Sequence, residues 1–225
     1  MHRGRQPLAF EQKYFGDLKY STKEPLIRRH ITDVLKWGSR VSSESLLSGH
    51  GKTALDVGCA YGYAIDILKS LAYKAYGVDI SEHAVGKAKK THPAEYSICD
   101  VQSGLPFRKN AFDLLTCFGV LEHLVNPVAA LRNMFDVCQG TMICTTPNRL
   151  VEKPVKMTIR DYDETHINVM AKEEWEKIIK QNLNCRSFKI EPVVDASLRT
   201  QDKVLFFRSL KIPYFGLDLR ILIKK

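Results

Sequence analysis

The chain has 225 residues, 44% of them hydrophobic and 26% charged, with a formal net charge of +9. That length holds one sizeable α/β domain with elaborated ends rather than two full domains, and the composition excludes a disordered or fibrous chain. No apolar run approaches a membrane span, and the basic start Met1–Gln6 lacks the apolar stretch of a secretory signal, so a cytosolic protein is expected.

The excess of Lys and Arg lies in the flanks, residues 1–53 and 149–225, while residues 54–148 are nearly neutral. Such flanks suit a solvated surface or an anionic partner: a carboxylate, a phosphate, RNA or a lipid headgroup. Six cysteines, at 59, 99, 117, 138, 144 and 185, form no C-x-x-C pair and mostly sit in apolar runs. They read as buried thiols, not as disulfides or a zinc site.

In chain order, residues 1–20 form a basic, aromatic arm without clear period. Its Tyr14, Phe15 and Tyr20 are placed either to cover a ligand or to pack on the domain. Residues 24–37 carry Leu26, Ile27, Ile31, Val34, Leu35 and Trp37 at helical spacing, with Pro25 in the first turn, and a loop over Ser39–Gly51 follows.

Thr53–Asp79 is the organising stretch. A short strand, Ala54-Leu55-Asp56-Val57, meets Gly58 and Gly62; a helical pattern runs through Ile65, Leu68 and Leu71; a second strand ends on Asp79. Glycines let the main chain approach a ligand, and an acid closing the second strand accepts both hydrogen bonds of a ribose diol. A dinucleotide fingerprint would place glycines where Ala60 and Tyr63 stand, and Asp56 beside the turn repels a pyrophosphate but suits a cation. The stretch Asp56–Gly62 closely resembles motif I, D/E-x-G-x-G-x-G, of the class I S-adenosylmethionine (SAM)-dependent methyltransferases, with Ala60 in place of the middle glycine.

Beyond it, Ser81 caps a helix whose early Glu82 and late Lys87, Lys89 and Lys90 agree with its dipole. A third strand, Ala94–Cys99, ends at Asp100, which is either a turn former or, as the resemblance implies, a partner of the adenine amino group. Phe112–Gly119 reads as a strand buried on both faces, and Asn126-Pro127 opens a helix through Val128, Leu131, Met134 and Phe135. Between them Phe118–Leu124 resembles the family's post-strand segment L-E-H-L, which leaves the edge of the sheet beside the sulfonium and makes Glu122 and His123 site candidates. Gly140–Thr146 is a fifth strand. A long polar connection, Arg149–Asn168, follows; its Asp163–Asn168 resembles a D-x-T-H-x-N segment of small-molecule members and adds His166 as a substrate contact or general base. Then come a helix over Lys172–Gln181, started uncertainly at Ala171, a sixth strand over Arg186–Val194, an amphipathic helix or lid within Val204–Phe215, and a seventh strand over Gly216–Ile223.

The order of elements predicts an α/β fold, a mostly parallel sheet with helices on both faces, and the resemblance implies a Rossmann-like, seven-stranded sheet with an antiparallel last strand. Residues 1–52 are an arm and helix belonging to the same domain, and 53–225 are the methyltransferase domain. The resemblance implies that Asp56, Gly58, Cys59 and Gly62 hold the methionine portion of SAM, Asp79 the ribose, Ile80 the adenine face, Asp100 and Val101 the adenine edge, and that Phe118 supplies a carbonyl near the amino group. It implies transfer from SAM, leaving S-adenosylhomocysteine (SAH), to an O or N atom of a small-molecule acceptor, with no metal; the basic flanks suit an anionic acceptor and the apolar piece Val204–Phe215 an apolar one. His123, His166 and Glu122 are the catalytic candidates. An RNA methyltransferase, suggested by the basic flanks, and a SAM-binding module without turnover, suggested by Ala60, stay open.

Overall fold

The computed structural model describes residues 10–151, 164–199, 204–213 and 215–225. The elements are α1 (Gln12–Asp17), a 3₁₀ turn (Tyr20–Lys23), α2 (Glu24–Ser42), β1 (Thr53–Val57), α3 (Tyr63–Ser70), β2 (Lys74–Asp79), α4 (Glu82–Thr91) and β3 (Glu95–Ile98). They continue as β4 (Phe112–Phe118), a 3₁₀ turn (Leu121–His123), α5 (Pro127–Val137), β5 (Cys138–Pro147), α6 (Lys172–Asn182), β6 (Ser187–Arg199), β7 (Val204–Lys211) and β8 (Asp218–Lys224).

The local signals act where the residue chemistry puts them. The Ala84 amide donates to the Ser81 hydroxyl at 3.1 Å, and the Ala129 amide to Asn126 Oδ1 at 3.0 Å, so both caps satisfy an amide left over at a helix start. Ala171 has no capping side chain; instead Glu174 reaches back to accept from its amide at 2.8 Å, which suffices to start α6 at Lys172. Of the expected arm, the described residues from Phe10 onward are more ordered than an arm, since residues 12–17 form a helix that buries Phe15. The helix expected over 24–37 runs on to Ser42 and takes the beginning of the expected loop with it.

All strands join one sheet in the order β3-β2-β1-β4-β5-β8-β6-β7. The pairs β1·β2, β1·β4, β2·β3 and β4·β5 are parallel, whereas β8 runs antiparallel between β5 and β6. The sheet thus has eight strands, not seven. The additional strand is β7, where the sequence suggested a helix or lid. It pairs antiparallel with β6 from Val193↔Lys211 to Arg199↔Val204, and β6 itself extends beyond its expected end to Arg199. The aromatic and β-branched run Val-Leu-Phe-Phe suits a strand, and only the protruding half of β6 supplies the partner that decides it. The Asp163 end of the D-x-T-H-x-N segment, most of the long polar connection, the first nine residues and Tyr214 lie outside the described residues.

Successive strand residues feed opposite faces. Ala54, Leu114, Ile143 and Leu222 join Ile31, Val34, Leu35, Ile65 and Leu68 in one core under α2 and α3; Leu55, Leu115, Met142 and Ile221 join Leu131, Met134, Trp175 and Ile179 in the other under α5 and α6. A guanidinium is buried within this packing. Arg220 of β8, 2% exposed, lies 2.9 Å from Asp33 of α2 and 3.3 Å from Asp195 of β6, and donates to the Ser209 hydroxyl of β7. It ties the first long helix to the added hairpin.

Arg220→Met leaves two acids facing each other without their shared cation. It is expected to destabilise the protein by about 3 kcal/mol, read from urea unfolding at neutral pH; a loss below about 1 kcal/mol would show the cluster to be a screened surface contact.

Candidate functional site

The turn after β1 is held by the end of β2. The amides of Gly58 and Cys59 both donate to the Val78 carbonyl, at 2.8 and 3.0 Å, and the Ala60 amide donates to Asp79 Oδ2 at 2.8 Å. Gly58 adopts φ +74°, and a Cβ there would stand 2.2 Å from Val120 Cγ2. Glycine is therefore required twice, for conformation and for space. Gly62, at φ +85°, opens α3 and would meet the Tyr96 hydroxyl at 2.7 Å if it bore a Cβ. Ala60 also takes a left-handed conformation, φ +45°, at a cost of roughly 1 kcal/mol that the usual glycine avoids.

Over this turn, at the carboxyl edge of the parallel strands, lies a cavity of about 150 Å³. Its floor is Val57, Gly58, Ala60, Val78, Asp79 and Ile80; its far wall is Asp100, Val101 and Gln102; its near wall is Phe118, Gly119, Val120 and His123. The N-terminal segment covers it with Phe10, Tyr14, Phe15, Leu18 and Tyr20. That cover is a packed aromatic cluster. Phe15 stacks on Tyr61 at 4.9 Å between centroids, Tyr20 on Tyr63 at 5.6 Å, and Phe10 meets the edge of His123 at 5.3 Å. So Tyr14, Phe15 and Tyr20 both pack on the domain and line the cavity.

Two acids shape it. Asp79 is buried, its Oδ1 accepting from the Ser81 amide at 2.9 Å and its Oδ2 from Ala60. Burial raises its pKa above the ordinary value against the opposing N–H groups of Ser81, Ala60 and Ile80. Asp100 forms a turn, with Oδ1 accepting from the Gln102 amide at 2.9 Å, and it also lines the cavity.

A second cavity, about 400 Å³, shares Tyr20, Gly58, Phe118 and Gly119 with the first and extends toward β8 and the β6–β7 hairpin. Leu26, Ile27, Ile31 and Phe207 give it an apolar side, and four carboxyl groups, Asp56, Glu122, Asp195 and Asp218, give it an acidic one. Asp56 accepts from the Thr116 hydroxyl at 2.6 Å, and burial, outweighing that bond, pushes its pKa up to about 7. Burial also pushes Glu122 up to about 7, with His166 opposing, and its Oε2 has no hydrogen-bond partner among the described residues.

The segment Thr165–Asn168 docks on Glu122–Val125. The Asn168 amide donates to the Glu122 carbonyl at 2.9 Å and its side chain to the Leu124 carbonyl at 2.8 Å, while the Thr165 hydroxyl lies 2.9 Å from His123 Nδ1. This brings His166 against His123, with ring centroids 4.8 Å apart, and Glu122, His123 and His166 present potential metal-ligand atoms within 4.8 Å of one another.

The residues singled out from sequence therefore separate. Gly58, Asp79, Ile80, Asp100, Val101 and Phe118 line the first cavity; Asp56 and Cys59 line the second; Gly62 lines neither and serves the close approach of Tyr96. Among the three catalytic candidates, Glu122 faces the second cavity, His123 the first, and His166 stands behind His123. Sequence reasoning missed Gly119, which takes φ +62° at the junction of the cavities, and the glycine following an apolar strand was an available signal for it. It also missed His30 and Asp195, 165 residues apart, for which there was none.

A family model described as a methyltransferase domain matches residues 28–186. A probable SAM-dependent methyltransferase of Mycolicibacterium smegmatis is 29% identical over 114 residues, covering 48% of this chain and 43% of that protein. A ubiquinone biosynthesis O-methyltransferase of Azoarcus is 27% identical over 114 residues, covering 46% and 49%. The chain thus aligns with less than half the length of these curated relatives. The crystal structure of a SAM-dependent methyltransferase from Archaeoglobus fulgidus superposes with a TM-score of 0.68 at 17% identity, covering 95% of this chain and all of that one, which is a likeness of fold.

The raised carboxyls set a pH dependence. Asp56 and Glu122 keep their protons to about pH 7 in the folded protein but only to about 4 when unfolded. The stability that each contributes is fully present below about pH 4 and is lost as pH rises through about 7, at about 1.4 kcal/mol per unit of displacement. Urea unfolding of the ligand-free protein is expected to show stability falling between pH 5 and 8, and Asp56→Asn or Glu122→Gln should each flatten that fall. Parallel curves for variants and wild type would contradict the assignment.

Proposed function

We propose, from the premise that the chain belongs to the methyltransferase-domain family, that it moves a methyl group from SAM to an O or N atom of a small-molecule acceptor. The observation that carries this reading is the cradle at Gly58–Asp79: a left-handed turn with no room for a side chain, locked to a buried acid and opening into two joined cavities.

The residues present fit SAM. Both Asp79 oxygens hold backbone amides yet retain lone pairs for a ribose diol, Ile80 and Val101 offer apolar faces to an adenine, and Asp100 offers a carboxylate to its amino group. Gly58 stands where the two cavities meet, with Phe118 alongside, and Asp56 and Cys59 line the second cavity; these residues would take the methionine portion. SAM supplies an activated methyl on a sulfonium, so the protein's task is alignment and management of one proton. The aromatic cover of Phe10, Tyr14, Phe15 and Tyr20 keeps water from the first cavity, and the acidic lining of the second favours the cationic sulfonium next to it.

The same lining bears on the acceptor. Four carboxyls around an apolar wall favour a neutral or cationic compound with an apolar body over the anionic one that the basic flanks suggest. The flanking charge acts as surface in this reading, and RNA is not favoured as substrate.

Isothermal titration of the purified protein is expected to show uptake of SAM and SAH. Asp79→Asn should weaken it by about 10-fold or more, the loss of a hydrogen bond to a charged group, and Gly58→Ala should abolish it. Absence of uptake by the wild-type protein would remove the reading.

A further inference from the structure

The second cavity contains a proton-handling pair that no sequence motif announces. His30 of α2 lines it beside Phe118, with ring centroids 6.4 Å apart, close to the junction with the first cavity. Its Nδ1 stands 2.6 Å from Asp195 Oδ2. Asp195 is in turn fixed from two further sides: its Oδ1 accepts from the Ser209 hydroxyl, and buried Arg220 approaches it at 3.3 Å. Burial works against the charge of Asp195, but the bonds from His30 and Ser209 and the charges of His30 and Arg220 outweigh it, so its carboxyl sits below its ordinary value.

A carboxylate held this way cannot follow a moving imidazole; it fixes the imidazole instead. In the neutral imidazole with Nδ1–H donating to Asp195, the lone pair resides on Nε2, for which the described residues show no hydrogen bond. An oriented base has this arrangement: a third group sets the tautomer, and the residue lines the cavity. The histidines suggested by sequence are placed differently. His123 lines the first cavity with Nδ1 engaged by Thr165, and His166 packs behind it.

We propose that His30, oriented by Asp195, is the base that removes the proton from the acceptor's attacking oxygen or nitrogen. The inference rests on the methyl-transfer reading given above. A lone pair on the acceptor atom forms the new bond to the methyl carbon as the carbon–sulfur pair returns to sulfur. The proton displaced from that atom goes to His30 Nε2, and the resulting imidazolium is balanced by Asp195. It is later lost to water, which restores the pair.

The test begins with labelled SAM, the wild-type protein and a small-molecule extract of cells; the fraction that takes up label serves as the acceptor probe. With that fraction and saturating SAM, His30→Ala and His30→Gln should each slow transfer by about 100-fold or more, with SAM affinity by calorimetry within about 3-fold of wild type. Added imidazole should raise the rate of His30→Ala by about 10-fold or more, because it enters the space vacated, and should leave His30→Gln unchanged. A loss below about 10-fold, a loss that imidazole does not relieve, or a larger loss in Glu122→Gln than in His30→Ala would overturn the assignment while leaving methyl transfer intact. If the wild-type protein binds SAM yet labels nothing, methyl transfer itself fails, and the base with it.

Discussion

The contact on which the rest depends is that between Asp79 and the main chain of the preceding turn. Parallel strands place their carboxyl ends side by side, and here the last residue of β2 reaches across to the amide of Ala60, after Val78 has accepted from Gly58 and Cys59. One carboxylate thereby pays for its burial with amides that the turn cannot satisfy internally. The turn in exchange keeps a shape that Gly58 tolerates and Ala60 tolerates at some strain. The floor of the first cavity is this contact, so any ligand there meets a surface already organised before it arrives.

Around that floor the protein separates two environments. The first cavity is covered by aromatic rings from the N-terminal segment, which pack on Tyr61, Tyr63 and His123. The second is apolar on one side and acidic on the other, and its acids are held in different ways. Asp56 and Glu122 are desolvated, whereas Asp195 is kept ionised by His30, Ser209 and Arg220. Carboxyls with such different surroundings differ in their readiness to hold a proton: burial favours the neutral form of Asp56 and Glu122, and the donors around Asp195 favour its ionised form.

The added β6–β7 hairpin supplies what a minimal sheet would lack. It carries Asp195 to the cavity, with Ser209 bonded to that carboxylate, and contributes Phe207 to the wall, while Arg220 on β8 and Asp33 on α2 lock it in place. Read as a helix from its sequence, the segment after Val204 would have had no route to this role; as a strand paired to the overhanging half of β6 it does.

Much of the frame was legible in the residues. The turn after β1, the closing acid at Asp79, the caps Ser81 and Asn126, and the doubly buried run Phe112–Phe118 are local: each is decided by conformational preference, capping or apolar period within a few positions, and each forms as its sequence predicts. The resemblance to family segments singled out Glu122, His123 and His166, yet it could not say which compartment each would face, because that depends on the docking of Thr165–Asn168 onto the 3₁₀ turn. The eighth strand, the buried Arg220 cluster and the His30–Asp195 pair were decided only by tertiary structure. Their partners lie far apart in the chain, and no propensity or spacing encodes a contact whose energy arises when two distant segments exclude water together.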